Sequence, residues 1–336
     1  MAFFAIKRLL VLAGTMIGVA VLTFLITNIA PGDPARLAAG PNATEAMVAT
    51  VRSENGLDKP LPEQLWIYLG QMARGDLGKS IVTTQPVTVE LRRQLPATLE
   101  LVAVSMGMGI LFGVSLGVLA AVRRDGWVDQ VSRIFSVSGV AVPAFWLGLL
   151  MQLYFAVRLQ WLPVSGRFPL MMEPPPQVTG FYLIDSLLAG QIDKFGVALS
   201  YIIMPALVLS LPCLASILRV TRSEMIEVLQ SDYIVAARAH GLPQRRIIAY
   251  YALKNAMLPV LAMIGLRFGW MLGSTVLVET VFDWPGVGFY AVSSALSSDF
   301  KPVIGVTLVI TFFFVLANMV VDLAYAWIDP RLRSVA

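Results

Sequence analysis

The stretch Gly75-Asp76-Leu77-Gly78-Lys79-Ser80 carries the residue types of a phosphate-binding loop. In such a loop, glycines let backbone N–H groups close round a phosphate, a lysine adds charge and a serine hydroxyl reaches the accompanying metal. The spacing is wrong for it: the loop requires a glycine five positions before Gly78, and Ala73 stands there. The residues before it are also wrong, because Leu65, Tyr68, Leu69 and Met72 recur at helical spacing where a buried strand is required. Gly75 and Gly78 are expected to end that helix and form a turn. His240 is the sole histidine and Cys213 the sole cysteine, so neither has a companion for a metal site and no intrachain disulfide can form. No catalytic set, metal site or cofactor is expected in this chain.

The elements around these residues are those of a membrane protein. The chain is 57% hydrophobic and 14% charged, with mean hydropathy +0.75, whereas soluble domains run near a quarter charged. Runs without charge cover 9–30, 101–122, 134–157, 195–218 and 302–321, and a sixth, 255–278, is interrupted only by Arg267. At about 1.5 Å per residue each run matches the roughly 30 Å hydrocarbon core of a bilayer. The expected fold is all-α and integral to the membrane, with six transmembrane helices. The first run is too long for a signal peptide and no A-x-A site closes it, so it is read as a retained span.

Lys and Arg side chains set the orientation. Lys7, Arg8, Arg123, Arg124, Arg133, Arg219, Arg222, Arg238, Arg245, Arg246, Lys254, Arg331 and Arg333 fall on one side; the opposite short loops hold Arg158, Arg167, Lys194 and Lys301. Both termini and the 219–256 loop are expected to be cytoplasmic, with 31–96 exterior between span 1 (1–30) and a core at 97–336. The Gly75–Ser80 stretch then lies outside, where ATP is scarce.

Within the spans, Arg267 is costly at its depth and is a pathway candidate, or a lock between two helices; Asn318 lies at similar depth. Pro143, Pro205 and Pro212 are expected to kink spans 3 and 4. Outside, Asp283, Trp284, Pro285 and Gly286 form a tight turn between aromatics. The turn either packs at the lipid interface or serves as an exterior gate or docking element. The 159–194 loop contains Glu-Pro-Pro-Pro-Gln, an extended stretch.

The most patterned polar stretch is SDYIVAARAHGLPQRRIIAYYALKNAMLP, 231–259. Asp232 to His240 reads as a short helix with small residues Ala236, Ala237 and Ala239. Gly241 suits a left-handed C-cap and Pro243 the first turn of a second helix. Ile247, Ile248, Tyr251 and Leu253 face the membrane, and Arg245 and Arg246 face water. Such a projection can enter a groove on a partner, with arginines pairing to carboxylates, or rest on lipid headgroups.

Four stretches, DYIVAARAHGL, ALKNAMLP, ETVFDWPGVG and the terminal DPRLR, resemble the dipeptide/oligopeptide/nickel branch of ATP-binding-cassette importer permeases. The early APGDPA and GDLGKS are similar to that branch too, in order and nearly end to end. Val235 stands where the broader EAA motif has Glu, and Gly241 to Pro259 is longer than the general spacing; both departures fit the peptide branch.

The resemblance implies a type I importer permease in a bacterial cytoplasmic (inner) membrane, with the short helix around Ala236–Gly241 as the ATPase-coupling segment and Ala236, Ala237 and Gly241 at its small positions; Asp232 and Leu242 are counted with it, and charge and exposure add Arg238, Arg245 and Arg246. It implies a second homologous permease, an exterior solute-binding protein, and two ATPase subunits that hold ATP and Mg. No nucleic acid is implied. Short peptides are the expected cargo, with nickel or glutathione-like compounds as alternatives. An ion-coupled secondary transporter is the competing class. It is disfavoured because acids in the spans sit only near the ends, at Glu100, Glu279 and Asp322.

Overall fold

A computed structural model describes residues 2–29, 35–36, 43–54 and 58–328. Most of APGDPA, all of DPRLR, and the side chains of Lys7, Arg8 and Asp322 lie outside the described part.

Among the described residues the chain is helical, apart from one isolated antiparallel bridge between Lys79 and Pro86. In order, the helices are α1 (Ala2–Ile29), α2 (Glu45–Glu54), α3 (Leu61–Ala73), α4 (Val87–Val122), α5 (Trp127–Ala141), α6 (Ala144–Arg158), α7 (Tyr182–Leu188), α8 (Ile192–Leu229), α9 (Asp232–Ala239), α10 (Gln244–Val281), α11 (Val287–Leu296) and α12 (Phe300–Ile328). Four are long and apolar enough to cross a membrane: α4, α8, α10 and the Phe300–Val320 part of α12. The pair α5 and α6 makes a fifth if taken together, and α1 contributes the apolar stretch Leu10–Ile26.

The 134–157 run is not one straight span. It breaks between Ala141 and Ala144 with a bend of 103°. Pro143 lacks an N–H and its ring clashes with a helical preceding residue, so Val142 is extended, with ψ 124°. Pro205 and Pro212 do not break their helix, and α8 runs through both. It is the most enclosed of these spans, 78% buried over its most apolar window, so neighbours surround the backbone groups that the prolines free.

The chain divides into two units: Met1–Thr98 with Pro285–Leu316, and Leu99–Trp284 with Ala317–Ala336. The first unit therefore draws in residues that the sequence-based boundary at 96–97 leaves in the core. The reason is a shared apolar cluster of Val87, Leu91, Val287, Tyr290 and Val306. Also in this unit, α3 ends as the glycines require. Asp76 N–H donates to Gln71 O at 3.0 Å and Gly75 N–H to Met72 O at 2.9 Å, with Gly75 at φ +77°. Ser80 Oγ then donates to Asp299 Oδ2 at 2.6 Å, and Ile81 N–H to the same oxygen at 2.8 Å. The Gly75–Ser80 stretch is a clasp on the start of α12.

In the second unit, α4 and α8 meet through Gly109, Gly113 and Gly117. A Cβ on Gly113 would stand 2.9 Å from Ile217, and one on Gly117 2.6 Å from Thr221 Cβ and 2.9 Å from Leu218 O. Side chains are thus excluded along this seam, as in close-packed membrane helices. The α5 start is tied to α8 by Asp129, fully buried, which accepts from both Nε and Nη2 of Arg222, the latter at 2.8 Å.

Candidate functional site

The segment 231–246 forms a small projection. Helix α9 closes with two hydrogen bonds of a left-handed cap: Leu242 N–H to Ala237 O at 3.2 Å and Gly241 N–H to Arg238 O at 2.9 Å. Gly241 has φ +72°, where a Cβ is strained although space surrounds it. Ile234 and Ala237 point inward, onto Met225, Ile247, Ala252 and Ala256, with Leu242 packed against the same cluster. The opposite face of α9 exposes Asp232, Tyr233, Val235, Ala236 and Arg238.

Pro243 is not inside the second helix but caps it, with φ −63° and ψ 139°. From Gln244 the chain runs without interruption into α10, the first turns passing through π geometry at Ile247–Ala252. Arg245 and Arg246 are exposed beside the cap. The structure thus gathers Asp232, Ala236, Arg238, Gly241, Arg245 and Arg246 on an exposed knuckle, while Ala237 and Leu242 seat it. A small-faced, basic knuckle continuous with a long helix offers an exposed surface to a partner.

At the far end of α10, Asp283 and Trp284 form a second left-handed cap. Asp283 has φ +46° and Trp284 N–H reaches Glu279 O at 2.9 Å. Trp284 is 1% exposed, so it is interior and not at the lipid interface. Asp283 is exposed. Pro285 and Gly286 belong to the first unit, where Gly286 caps α11.

Trp284 belongs to a knot that the sequence reading missed. Arg167 lies over Tyr182, 3.7 Å from guanidinium carbon to ring centre, and 5.7 Å from the Trp284 ring. It donates to Glu100 Oε2 and, at 2.6 Å, to Gly180 O. Glu100 Oε1 accepts from Leu183 N–H at 2.8 Å. Asp185, fully buried, accepts from Thr179 N–H at 2.8 Å, Thr179 Oγ1 at 2.7 Å and Gly180 N–H at 2.9 Å. Burial is the largest influence on the Asp185 carboxyl and pushes its pKa up. The hydrogen bonds from Thr179, Gly180 and Val178 together outweigh it and hold the pKa below its ordinary 3.8. An acid ending an apolar run was the available signal, since a buried charge demands a partner.

Arg267 is partly buried on α10, its guanidinium 5.7 Å from the Trp270 ring centre. Its Nε has no hydrogen-bond partner, so Asn318 on α12 does not receive that proton.

Several helices long and apolar enough to cross a membrane, with an exposed polar knuckle between two of them, fit a multi-pass membrane protein. Family models agree over nearly the whole chain. Residues 1–102 match the N-terminal region of binding-protein-dependent transport membrane components, and 113–334 match the binding-protein-dependent transport system inner membrane component. The chain belongs to this family of permeases. It is 47% identical to a probable D,D-dipeptide transport system permease protein of Escherichia coli K12, covering 94% of this chain and 93% of that one. It is 39% identical to a glutathione transport system permease protein of Pectobacterium atrosepticum, covering 98% of each. Inward-facing structures of the MetNI methionine ABC transporter share the fold at 17% identity and TM-score 0.51, over 71% of this chain and 96% of the solved one. The protein is a membrane permease subunit of a binding-protein-dependent importer, and ATP hydrolysis belongs to separate subunits.

Proposed function

We propose that this permease imports short peptides, as one half of a pathway completed by a second homologous permease. Six spans cross the inner membrane, α1 and the bent α5–α6 pair each counting once, and both termini are cytoplasmic. Two ATPase subunits bind ATP and Mg, and a solute-binding protein delivers cargo from the exterior. The observation that carries the coupling role is the knuckle. It is exposed, basic and locked by Gly241, and it continues directly into α10. Asp232, Ala236, Arg238, Gly241, Arg245 and Arg246 form the contact with an ATPase subunit; Ala237 and Leu242 position it. Closure of the ATPases on ATP favours one arrangement of the permease pair and hydrolysis releases it, which is how nucleotide drives the cycle.

Arg267 and Asn318 lie along the pathway, where Arg267 attracts the peptide carboxylate. Asp283, Trp284, Pro285 and Gly286 form the exterior gate or docking turn, with Trp284 acting from the interior. Peptide cargo follows from the likeness to a dipeptide permease at 47% identity. Glutathione, itself a small peptide-like acid, is the nearest competitor.

The test is purification of the C-terminally tagged chain from its native membrane in mild detergent. Recovery of a second permease and two ATPases supports the reading; reproducible recovery of this chain alone overturns it. Vesicles holding the whole assembly then give cargo directly, from competition of labelled dipeptide uptake by glutathione and by Ni²⁺.

A further inference from the structure

We propose that helix α3 lies in the bilayer interface on the side of residues 31–100, anchored by Trp66. The 13 residues Leu61–Ala73 include one charge, Glu63; none is fully buried, Leu65, Ile67, Tyr68, Leu69 and Met72 are half-buried, and Leu61, Pro62, Trp66 and Ala73 are exposed. Glu63 is itself paired with Lys59 Nζ at 2.7 Å. An apolar helix that its own protein covers on one face only requires another apolar phase for the rest. Two observations identify that phase as lipid. Tyr68 of α3 packs on Phe24 of α1, ring centres 5.7 Å apart, and Phe24 lies in the last two turns of α1, which ends at Ile29. The helix therefore sits close to the end of a span, within reach of the zone where headgroups meet acyl chains.

Pro62, Trp66, Leu69 and Ala73 recur at i, i+4, i+7 and i+11, which is one stripe of a helix. Trp66 on this stripe is 76% exposed. Gln64 and Gln71 lie away from it. Tryptophan is enriched at this depth because its ring is apolar and its N–H reaches the wet side. At the same end of α1, Leu22, Leu25 and Ile26 are exposed apolar side chains too.

The test is spin labelling of the full chain, assembled with its partners in lipid nanodiscs. Cys213→Ser removes the only cysteine, and Ala73→Cys or Gln71→Cys supplies one on either face of α3. Collision with dissolved oxygen reports lipid; collision with a water-soluble nickel chelate reports solvent. The expected result is an oxygen-to-nickel ratio several-fold higher at 73 than at 71. Equal ratios put the stripe in water. A label at 73 closed to both reagents puts it under a protein partner. Either overturns the proposal. If the labelled variants fail to assemble, quenching by lipids brominated near the headgroup decides. The Trp66 contribution, taken as the difference from Trp66→Phe, must be quenched by them; no loss on bromination overturns the proposal equally.

Discussion

Arg167 stands between Glu100 and Tyr182, its Nε 3.2 Å from the carboxylate and its guanidinium carbon 3.7 Å from the ring centre. Both charged residues are nearly sequestered, at 8% and 4% side-chain exposure. Each compensates the other's desolvation, so breaking the pair is worse than removing it. Arg167→Met or Glu100→Leu alone is expected to destabilise by about 3–5 kcal/mol. The double variant loses less than the sum. Melting of the purified protein in detergent reads both, and strictly additive losses would show that the pair does not couple.

Asp185 gives the same region a pH dependence. Its folded pKa is depressed below 3.8, so its stabilisation is fully present above the ordinary carboxylate range. That stabilisation is lost as pH falls through the depressed value. Asp185→Asn is expected to cost about 1–3 kcal/mol at neutral pH. The gap in melting temperature between wild type and variant should narrow on acidification past about pH 4. A gap that stays constant into stronger acid would mean that the ionised form is not what holds Thr179 and Gly180.

The seam between α4 and α8 predicts steric intolerance. Gly117→Ala places a Cβ 2.6 Å from Thr221 Cβ and against the Leu218 carbonyl, which cannot rotate away. Overpacking of this kind costs about 1–3 kcal/mol. Gly107→Ala, on the same helix with nothing within 4 Å of the new methyl, serves as the control. Equal melting temperatures for the two variants would contradict the seam.

Gly241 tests the coupling role. Its φ of +72° strains any side chain, yet the site is open. Gly241→Val is expected to deform the knuckle while α10 and the protein level survive. In vesicles holding the assembled importer, transport should fall at least tenfold, about 1.4 kcal/mol of lost coupling, with nucleotide hydrolysis retained. Transport at the wild-type rate in a stably assembled variant would remove Gly241 from the coupling machinery.

Several features were legible from sequence because they are local. Spans follow from runs of apolar residues long enough to match the bilayer. The caps at Gly75 and Gly241 follow from the one residue that enters the left-handed region freely, and both appear at the expected positions. The turn of α9 onto α10 was readable for the same reason, although Pro243 caps the second helix rather than lying inside it.

Tertiary structure decided what depends on distant partners. Glu100 meets Arg167 across 67 residues and Ser80 meets Asp299 across 219; no spacing rule selects such pairs. Trp284 was assigned by sequence to a tight turn that packs at the lipid interface or serves as an exterior gate, and packing makes it interior. Three prolines had equal power to break a helix, yet only Pro143 does so; α8, enclosed by its neighbours, stays helical through Pro205 and Pro212. Chain-local energies determine where helices begin, end and turn. Which charges are buried together, and which strained residues are tolerated, is settled by the neighbours that packing supplies.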